Sequence, residues 1–544
     1  MTILDAAGLP MKPASQPGRR MRAGLASPGG ARYPYDAGNP LAAEGADWNP
    51  PLRPGDAALV DRQRIVARSQ DLVRNDGWAA GAVQTILDET VGLTFRLSAK
   101  PDYRALQRID RRLDATWAAE YAAAVEAEWR MHFVNDPLLY GDVSKRMTIE
   151  QQFWISLRHR LVEGDAIAVA HFMPERVGPG GARYATAIRL VHPQRLCNPM
   201  MAADSRYLRD GVEIDDHDVP VAYHFRKGDP GAAWIDPEAM EWERVTREVA
   251  GWRRVFHSFE AQEIGQNRGI GILTPVVNRL KMLIKYDSAE LQAAIVNAIF
   301  ATFITSPFDT DLVQAGLDDG GGELGAYQRL RDDFHDGANL MLGNARLPHL
   351  FPGEKLETVG ATRPGNGFDA FEHAMLRNVA AQTGNTAEQL SKDWSKTNYS
   401  SARGALLTAW KTMVRRRRDF ALSLASPIYA SFLWELHDYP DRLPMPAGAP
   451  SFEEARAGYA ACRWIGPGRG WIDPTKEREG AVLGMEAGLS TLEDEAAENG
   501  GADWEEVIDQ RAREVAAFKA RGLTPPSWAG PSKDPGLMSE GQTP

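Results

Sequence analysis

The chain has 544 residues, 43% apolar and 25% charged, with only two cysteines, Cys197 and Cys462, and a net charge of −11. Its length gives a soft prior of about three to four domains, and two cysteines exclude a disulfide framework and favour a reducing cytoplasmic origin. The N-terminus lacks the apolar core of a signal peptide, and the least polar run, 291–307, is shorter than the ~20 residues a membrane span needs.

Residues 1–56 are rich in Pro and Gly and include Arg19, Arg20, Arg22 and Arg32. Such a segment buries too little apolar surface to offset ordering, so an extended arm is expected, touching nucleic acid or lying across a neighbouring subunit. From Ala57 the pattern is helical, and Gly92 opens a strand, LTFRL. Further helices are predicted over 103–133 and 149–161. Beyond Gly164 come AIAVAHFMP, ARYATAIRLVHP and a hairpin around YLRDGVEIDDHDVPVAYHFR, which together predict an α+β domain with a mostly antiparallel sheet. His171, His192 and His224 have neither HExxH spacing nor the spacing of a compact ligand cluster, and read as ordinary strand residues.

Residues 260–307 then supply a glycine-broken turn (Gly265, Gly269, Gly271), Pro275 suited to a first helical turn, and some thirty residues without another breaker. Val276, Leu280, Leu283, Ile284, Leu291, Ile295, Ala298, Ile299 and Phe303 recur at close to the spacing of one helical face. At ~1.5 Å per residue this predicts a rod of roughly 45 Å, long for a globular enzyme and ordinary for a subunit that stands beside copies of itself. The glycine cluster Gly320, Gly321, Gly322 and Gly325 that follows is acidic and lacks the Lys-Ser/Thr of a P-loop, so it reads as a flexible turn.

Residues 368–383 predict a short amphipathic helix, followed by a polar run and a long helix over 401–436 holding Arg415 to Arg418. Four consecutive arginines cover every face of a helix and make no single recognition stripe; carboxylate pairing, a subunit contact and DNA contact all remain open for them. Pro427 marks a kink or a break. Between Asp473 and Glu514 thirteen acidic and four basic residues give a local balance of −9, leaving −2 for the rest. Asp473-Pro474, Ser490 or Thr491 with Glu493 to Glu495, and Asp503 with Glu506 at capping-box spacing predict a small acidic helical module. Its surface would repel phosphate, which suits a protein that lets DNA slide better than one that holds it. The last twenty residues read as a disordered tail.

No active-site motif stands out: the chain lacks G-x-S-x-G, H-E-x-x-H, paired C-x-x-C, a Walker lysine and a dinucleotide fingerprint. His373 has no second histidine at zinc spacing. Cys462 beside Arg463 reads better as a buried structural cysteine than as an activated thiol. Asp318, Asp319, Asp332 and Asp333 look like solvated loop charges. No catalytic residue, cofactor or metal is expected.

Five stretches together resemble the lambda-type portal proteins of tailed bacteriophages: 72–97, 255–294, 350–384, 390–410 with NYSSAR, and 464–494 with the G-P-G…DP-x-K block. One departure is Ile264-Gly265, where the family has proline-glycine before its RG turn. The resemblance implies a ring, usually of twelve subunits, at one vertex of the capsid. Through it terminase packages double-stranded DNA, which later leaves to the tail by way of a head-tail connector. It further implies assembly in the host bacterial cytoplasm, residence in the virion beside the major capsid protein, and no membrane.

The implied fold is a mostly helical α+β multidomain portal: an arm (1–56), an α+β wing (57–274), a first stem helix (275–304), a clip (305–362), a second stem helix (363–384), a tunnel loop (385–400), a long helix returning to the wing (401–449), an acidic helical crown (450–525) and a disordered tail (526–544). It places Glu388, Lys392, Asp393, Lys396, Asn398 and Tyr399 in the DNA-facing loop, and Leu283, Leu291, Ile295, Ile299 and Phe303 on the subunit-contact face of the stem. A polar loop of both signs touches DNA without trapping it; alternatively the loop packs between subunits. The rival readings are a motif-less soluble enzyme such as a nuclease or hydrolase, and a ring-forming head-tail adaptor.

Overall fold

A computed structural model describes residues 56, 60–228, 240–299, 303–305, 368–470 and 473–524, with the short pieces 329–330, 333, 341–342, 345–346 and 355–357. The predicted arm up to residue 55, the glycine cluster, most of the clip and the tail from 525 lie outside the described residues.

Two helices open the fold, α1 (Arg62–Asn75) and α2 (Gly77–Thr90). They are separated at Asp76, whose carboxylate accepts the Ala79 N–H at 2.7 Å and caps α2. Strand β1 (Arg96–Ala99) follows. The single helix expected over 103–133 is broken: a short turn at Tyr103–Leu106 precedes α3 (Ala115–Trp129), and a π-helical turn covers Arg130–Val134. Asp114 causes the restart by accepting the Trp117 N–H at 2.9 Å. Helix α4 (Ile149–Glu163) begins with a Thr148–Gln151 capping box and ends at Gly164, whose φ of 97° only glycine adopts readily.

The expected antiparallel strands are present. β2 (Asp165–Phe172) sits between β3 (Thr186–Val191) and β8 (Val255–Phe259), while β4 (Leu208–Arg209), β5 (Val212–Ile214), β6 (Pro220–Arg226) and β7 (Trp242–Thr246) form a second sheet in sequential order. Alternation along β2 divides its side chains between two cores. Ala166, Ala168 and Ala170 face the large core, and Ile167 and Val169 face a smaller one with Val212, Tyr223 and Phe225 of the second sheet.

The predicted rod is α5 (Val277–Ile299), preceded by a 3₁₀ turn at Thr274–Val276. It stops short of 304, because Phe303 belongs to β9 (Phe303–Thr305), paired antiparallel with β10 (Lys355–Glu357). Of the glycines before it, Gly265 makes the expected turn at φ 82°, while the other two serve close packing: a Cβ on Gly269 would lie 1.9 Å from the Gly164 carbonyl oxygen, and one on Gly271 2.2 Å from that of Val162. The entry to the rod is thereby seated on the end of α4.

Helix α6 (Phe368–Thr383) has the predicted bounds, then α7 (Ala387–Ser391), then α8 (Tyr399–Phe420). α8 passes through a π-helical turn at Ala421–Ala425 into α9 (Ser426–Leu436). Pro427 lies in the first turn of α9, where its missing N–H costs little, so the break falls just before it.

α10 (Phe452–Tyr459) and β11 (Cys462–Ile465) follow, and β11 pairs with β1. Phe452, Tyr459 and Trp464 lie in the large core, with Trp464 stacked on Phe95 at 5.1 Å. The acidic module therefore separates from the body after 465 and not at 450. It comprises α11 (Pro474–Glu486), a short helix at Leu492–Glu495 and α12 (Trp504–Ala520); of these, α11 covers the Glu477 side chain between Arg403 and Arg469, and no apolar residue of the three helices is buried. Asp473 and Thr491 cap as expected. The Asp503 box does not form: Asp503 caps through the Glu505 N–H, while Glu506 is drawn to Arg130 at 2.9 Å and Arg96 at 3.5 Å. No helix among the described residues is long and apolar enough to cross a membrane.

Candidate functional site

The six polar residues expected in one loop occupy 385–400, but this segment is more ordered than a loop. Gly384 ends α6 at φ 78°, and the Asn385 amide donates to the Ala82 carbonyl at 3.2 Å. Thr386 and Gln389 form a capping box that starts α7, and the Gln389 amide donates to Glu89 at 2.7 Å. Leu390 is buried against the large core. Glu388 lies in this short helix and is half-buried.

Lys392 ends α7 in the left-handed region, φ 57°. Asn398 is the N-cap of α8, accepting the Ser401 N–H at 2.9 Å, and Tyr399 is the first residue of that helix. The stretch outside both helices is thus the tip 392–396, exposed throughout and pinned at both ends, with Asn398 and Tyr399 also exposed at the start of α8. Within it the Asp393 carboxylate accepts the Ser395 N–H at 2.9 Å, and its hydrogen bonds to Ser395 hold it below the usual carboxylate range. Lys396 reaches Asp369 of α6 at 3.3 Å, an exposed pair.

The arginine run braces this region. Arg415 donates to Glu260 at 2.8 Å and Arg416 to the Thr383 carbonyl. Arg417 donates to the carbonyls of Thr90, Glu89 and Pro467, each at 2.8 Å, and lies over the Trp410 ring. Burial lowers the Arg417 pKa to about 10. Arg418 is exposed on the same helix.

The candidate stem face divides along its length. Leu283 is buried, whereas Leu291 is 63% and Ile295 50% exposed. Tyr286 stacks with Phe368 and meets Phe371 edge-on, so α5 and α6 are held together near the body. The side chains of Ile299 and Phe303 lie outside the described residues.

The segment that leads into α5 takes part in a cluster that sequence spacing did not reveal. Asp165 is fully buried and receives Arg268 Nε at 2.8 Å, Arg62 Nη2 at 2.5 Å, His257 Nε2 at 3.0 Å and the Gly269 N–H at 2.6 Å. Burial alone would push its pKa up; Arg268, Arg62 and His257 together hold it far below the usual range. The Arg268 guanidinium also donates to the carbonyls of Leu196, Pro193 and Asp210. Its only sequence signal was the Arg268-Gly269 turn.

Of the strand histidines, His171 lies in β2 and His224 in β6, where it contacts Glu213 at 3.2 Å. His192 does not stand alone: it joins His159 and Glu163 of α4 in a group with metal-ligand chemistry among the described residues. Cys462 donates to Ser426 at 3.5 Å, and burial pushes its thiol pKa up, away from reactivity.

A sequence model of the family described as "Phage portal protein, lambda family" matches residues 42–417. Portal protein B of Escherichia phage lambda is 35% identical over 515 residues, covering 92% of this chain and 93% of the relative. The portal protein of Escherichia phage N15 is 34% identical, covering 91% and 92%. Among solved structures, the virion of a native gene transfer agent particle matches at 15% identity and TM-score 0.41, covering 82% of this chain and 94% of that one, too loose a likeness to add to the assignment.

Proposed function

The chain belongs to the lambda family of phage portal proteins, and from that premise we propose that it forms a ring, of twelve subunits as a first expectation, at one capsid vertex. Terminase drives double-stranded DNA through this ring, a head-tail connector later docks on it, and the major capsid protein surrounds it. Assembly takes place in the cytoplasm of the host bacterium. The role is structural: the protein guides DNA and performs no chemistry on it.

The observation that carries the reading is the outer half of α5, where Leu291 and Ile295 project apolar surface that the described chain does not cover. A neighbouring copy of the same helix would cover it. In this arrangement 275–299 is the first stem helix, 368–383 the second, and the tip 392–396 faces the channel. Lys392 and Lys396 are its phosphate-facing residues. Exposed and balanced by Asp393 and Asp369, they contact a moving duplex without fixing it. Charge reversal of both, Lys392→Glu with Lys396→Glu, should alter packaged DNA length or retention in particles that still assemble. Unchanged length and retention would remove the tip from the channel wall.

A further inference from the structure

We propose that His159, Glu163 and His192 form a binding site for a divalent first-row transition ion, with zinc the best match. His159 and Glu163 stand one turn apart on α4, so both side chains leave the same face of the helix. His192 comes from the end of β3, where the chain enters a 3₁₀ turn at Pro193–Arg195.

In the metal-free geometry His159 Nδ1 is 2.7 Å from Glu163 Oε2, and His192 Nε2 is 3.6 Å from Glu163 Oε1. One donor atom from each residue falls within 4.8 Å of the others. An ion held at about 2.0–2.2 Å from two imidazole nitrogens and a carboxylate oxygen needs donors roughly 3–4 Å apart. Small side-chain rotations reach that from here.

The surroundings fit a metal better than a chance contact. Glu163 is 3% exposed, and Gln70 Nε2 donates to its Oε1 at 2.8 Å while Gln194 Nε2 donates to Gln70 at 3.2 Å. This chain of amides holds the ligating carboxylate in place, as outer-shell partners of metal sites do. The two imidazoles are 21% and 36% exposed, which leaves an entry path and room for a water as fourth ligand. Arg62 donates to the Glu163 carbonyl, but its charge is met by Asp165 and Asp210.

Loading gives up a hydrogen bond. His192 Nδ1 accepts the Gln194 N–H at 3.2 Å, so binding through Nε2 moves the ring proton to Nδ1 and gives up that bond. The donor set, two neutral nitrogens and one carboxylate, suits zinc or cobalt and not calcium or magnesium, which prefer all-oxygen shells. The bound ion would clamp the end of α4 to the β3 turn, beside the Asp165 cluster, to which Arg62 links it.

The test is titration of the untagged full chain with Co²⁺, read by visible absorption, with displacement by Zn²⁺. One equivalent per chain is expected, and His192→Ala and Glu163→Gln should each weaken binding at least tenfold. His171→Ala, in a strand histidine outside the cluster, should leave binding unchanged. Equal melting temperatures in EDTA establish that the variants fold; if His192→Ala melts early, His192→Gln replaces it with the same expectation. Absence of a stoichiometric equivalent in the unsubstituted chain, or unweakened binding in the His192 variant, would overturn the site.

Discussion

Glu126 sits where the acidic C-terminal module meets the body. It accepts the Ala99 N–H at 2.8 Å, and burial, with a further push from Asp503, raises its pKa to about 7. In the unfolded chain the same group titrates near 4.5. Between those values the folded protein holds the extra proton, so stability falls as pH rises through this window. The loss is complete above about pH 7 and absent below about 4.5, with a ceiling of about 3 kcal/mol. Glu126→Gln keeps the acceptor and removes the charge. It should raise the melting temperature by several degrees at pH 8 and change it little at pH 5; a difference independent of pH would show that Glu126 is already ionised in the folded chain. Such a residue was invisible in the sequence, where Glu126 is one of many helical glutamates. The Asp165 cluster was hidden for the same reason, since Asp165 and Arg268 are 103 positions apart and only the fold brings them together.

At the scale of elements, periodicity located most helices and strands, and errors fell where local chemistry interrupts a pattern. Asp114 had the N-cap position that breaks the 103–133 helix, and Thr386-x-x-Gln389 had capping-box spacing inside the expected loop. Both signals were present and outweighed by the surrounding composition. The π-helical turn before Pro427 was less legible, because it depends on tertiary packing: Ser423 within it exchanges hydrogen bonds with Ser258 and Arg160. α5 was the clearest element in the sequence, and it is bounded by β9, which holds Phe303. Its outer half gives a direct prediction. Leu291→Asp with Ile295→Asp puts two charges on a face that is solvated in the single chain and apolar in a stem contact. Circular dichroism and the melting temperature of the unassembled chain should stay close to those of the unsubstituted protein, while light scattering shows loss of the assembled species. Assembly at the unsubstituted level would take this face out of the subunit contact.

For the molecule as a whole, the two ends of the body close on each other, with β1 against β11 and Phe95 on Trp464, so the C-terminal segment from Cys462 begins inside a core that the first hundred residues help to build. Beyond it, the acidic module attaches through ion pairs, Arg463–Asp494 and Lys100–Glu493 at its short middle helix and Arg130–Glu506 at α12, and leaves Val482, Leu483, Leu489 and Ile508 exposed. An acidic module with uncovered apolar residues and a helix α5 with an uncovered apolar face are two separated signs of one incompleteness, which copies of the chain would remedy. The rival reading as a motif-less enzyme predicts a monomer or small oligomer. Negative-stain class averages of the purified full chain decide between them: a closed ring with an axial hole, twelvefold or nearly so, is the predicted result, and a uniform population of monomers or small oligomers without a hole, under conditions where the chain is folded, would contradict it.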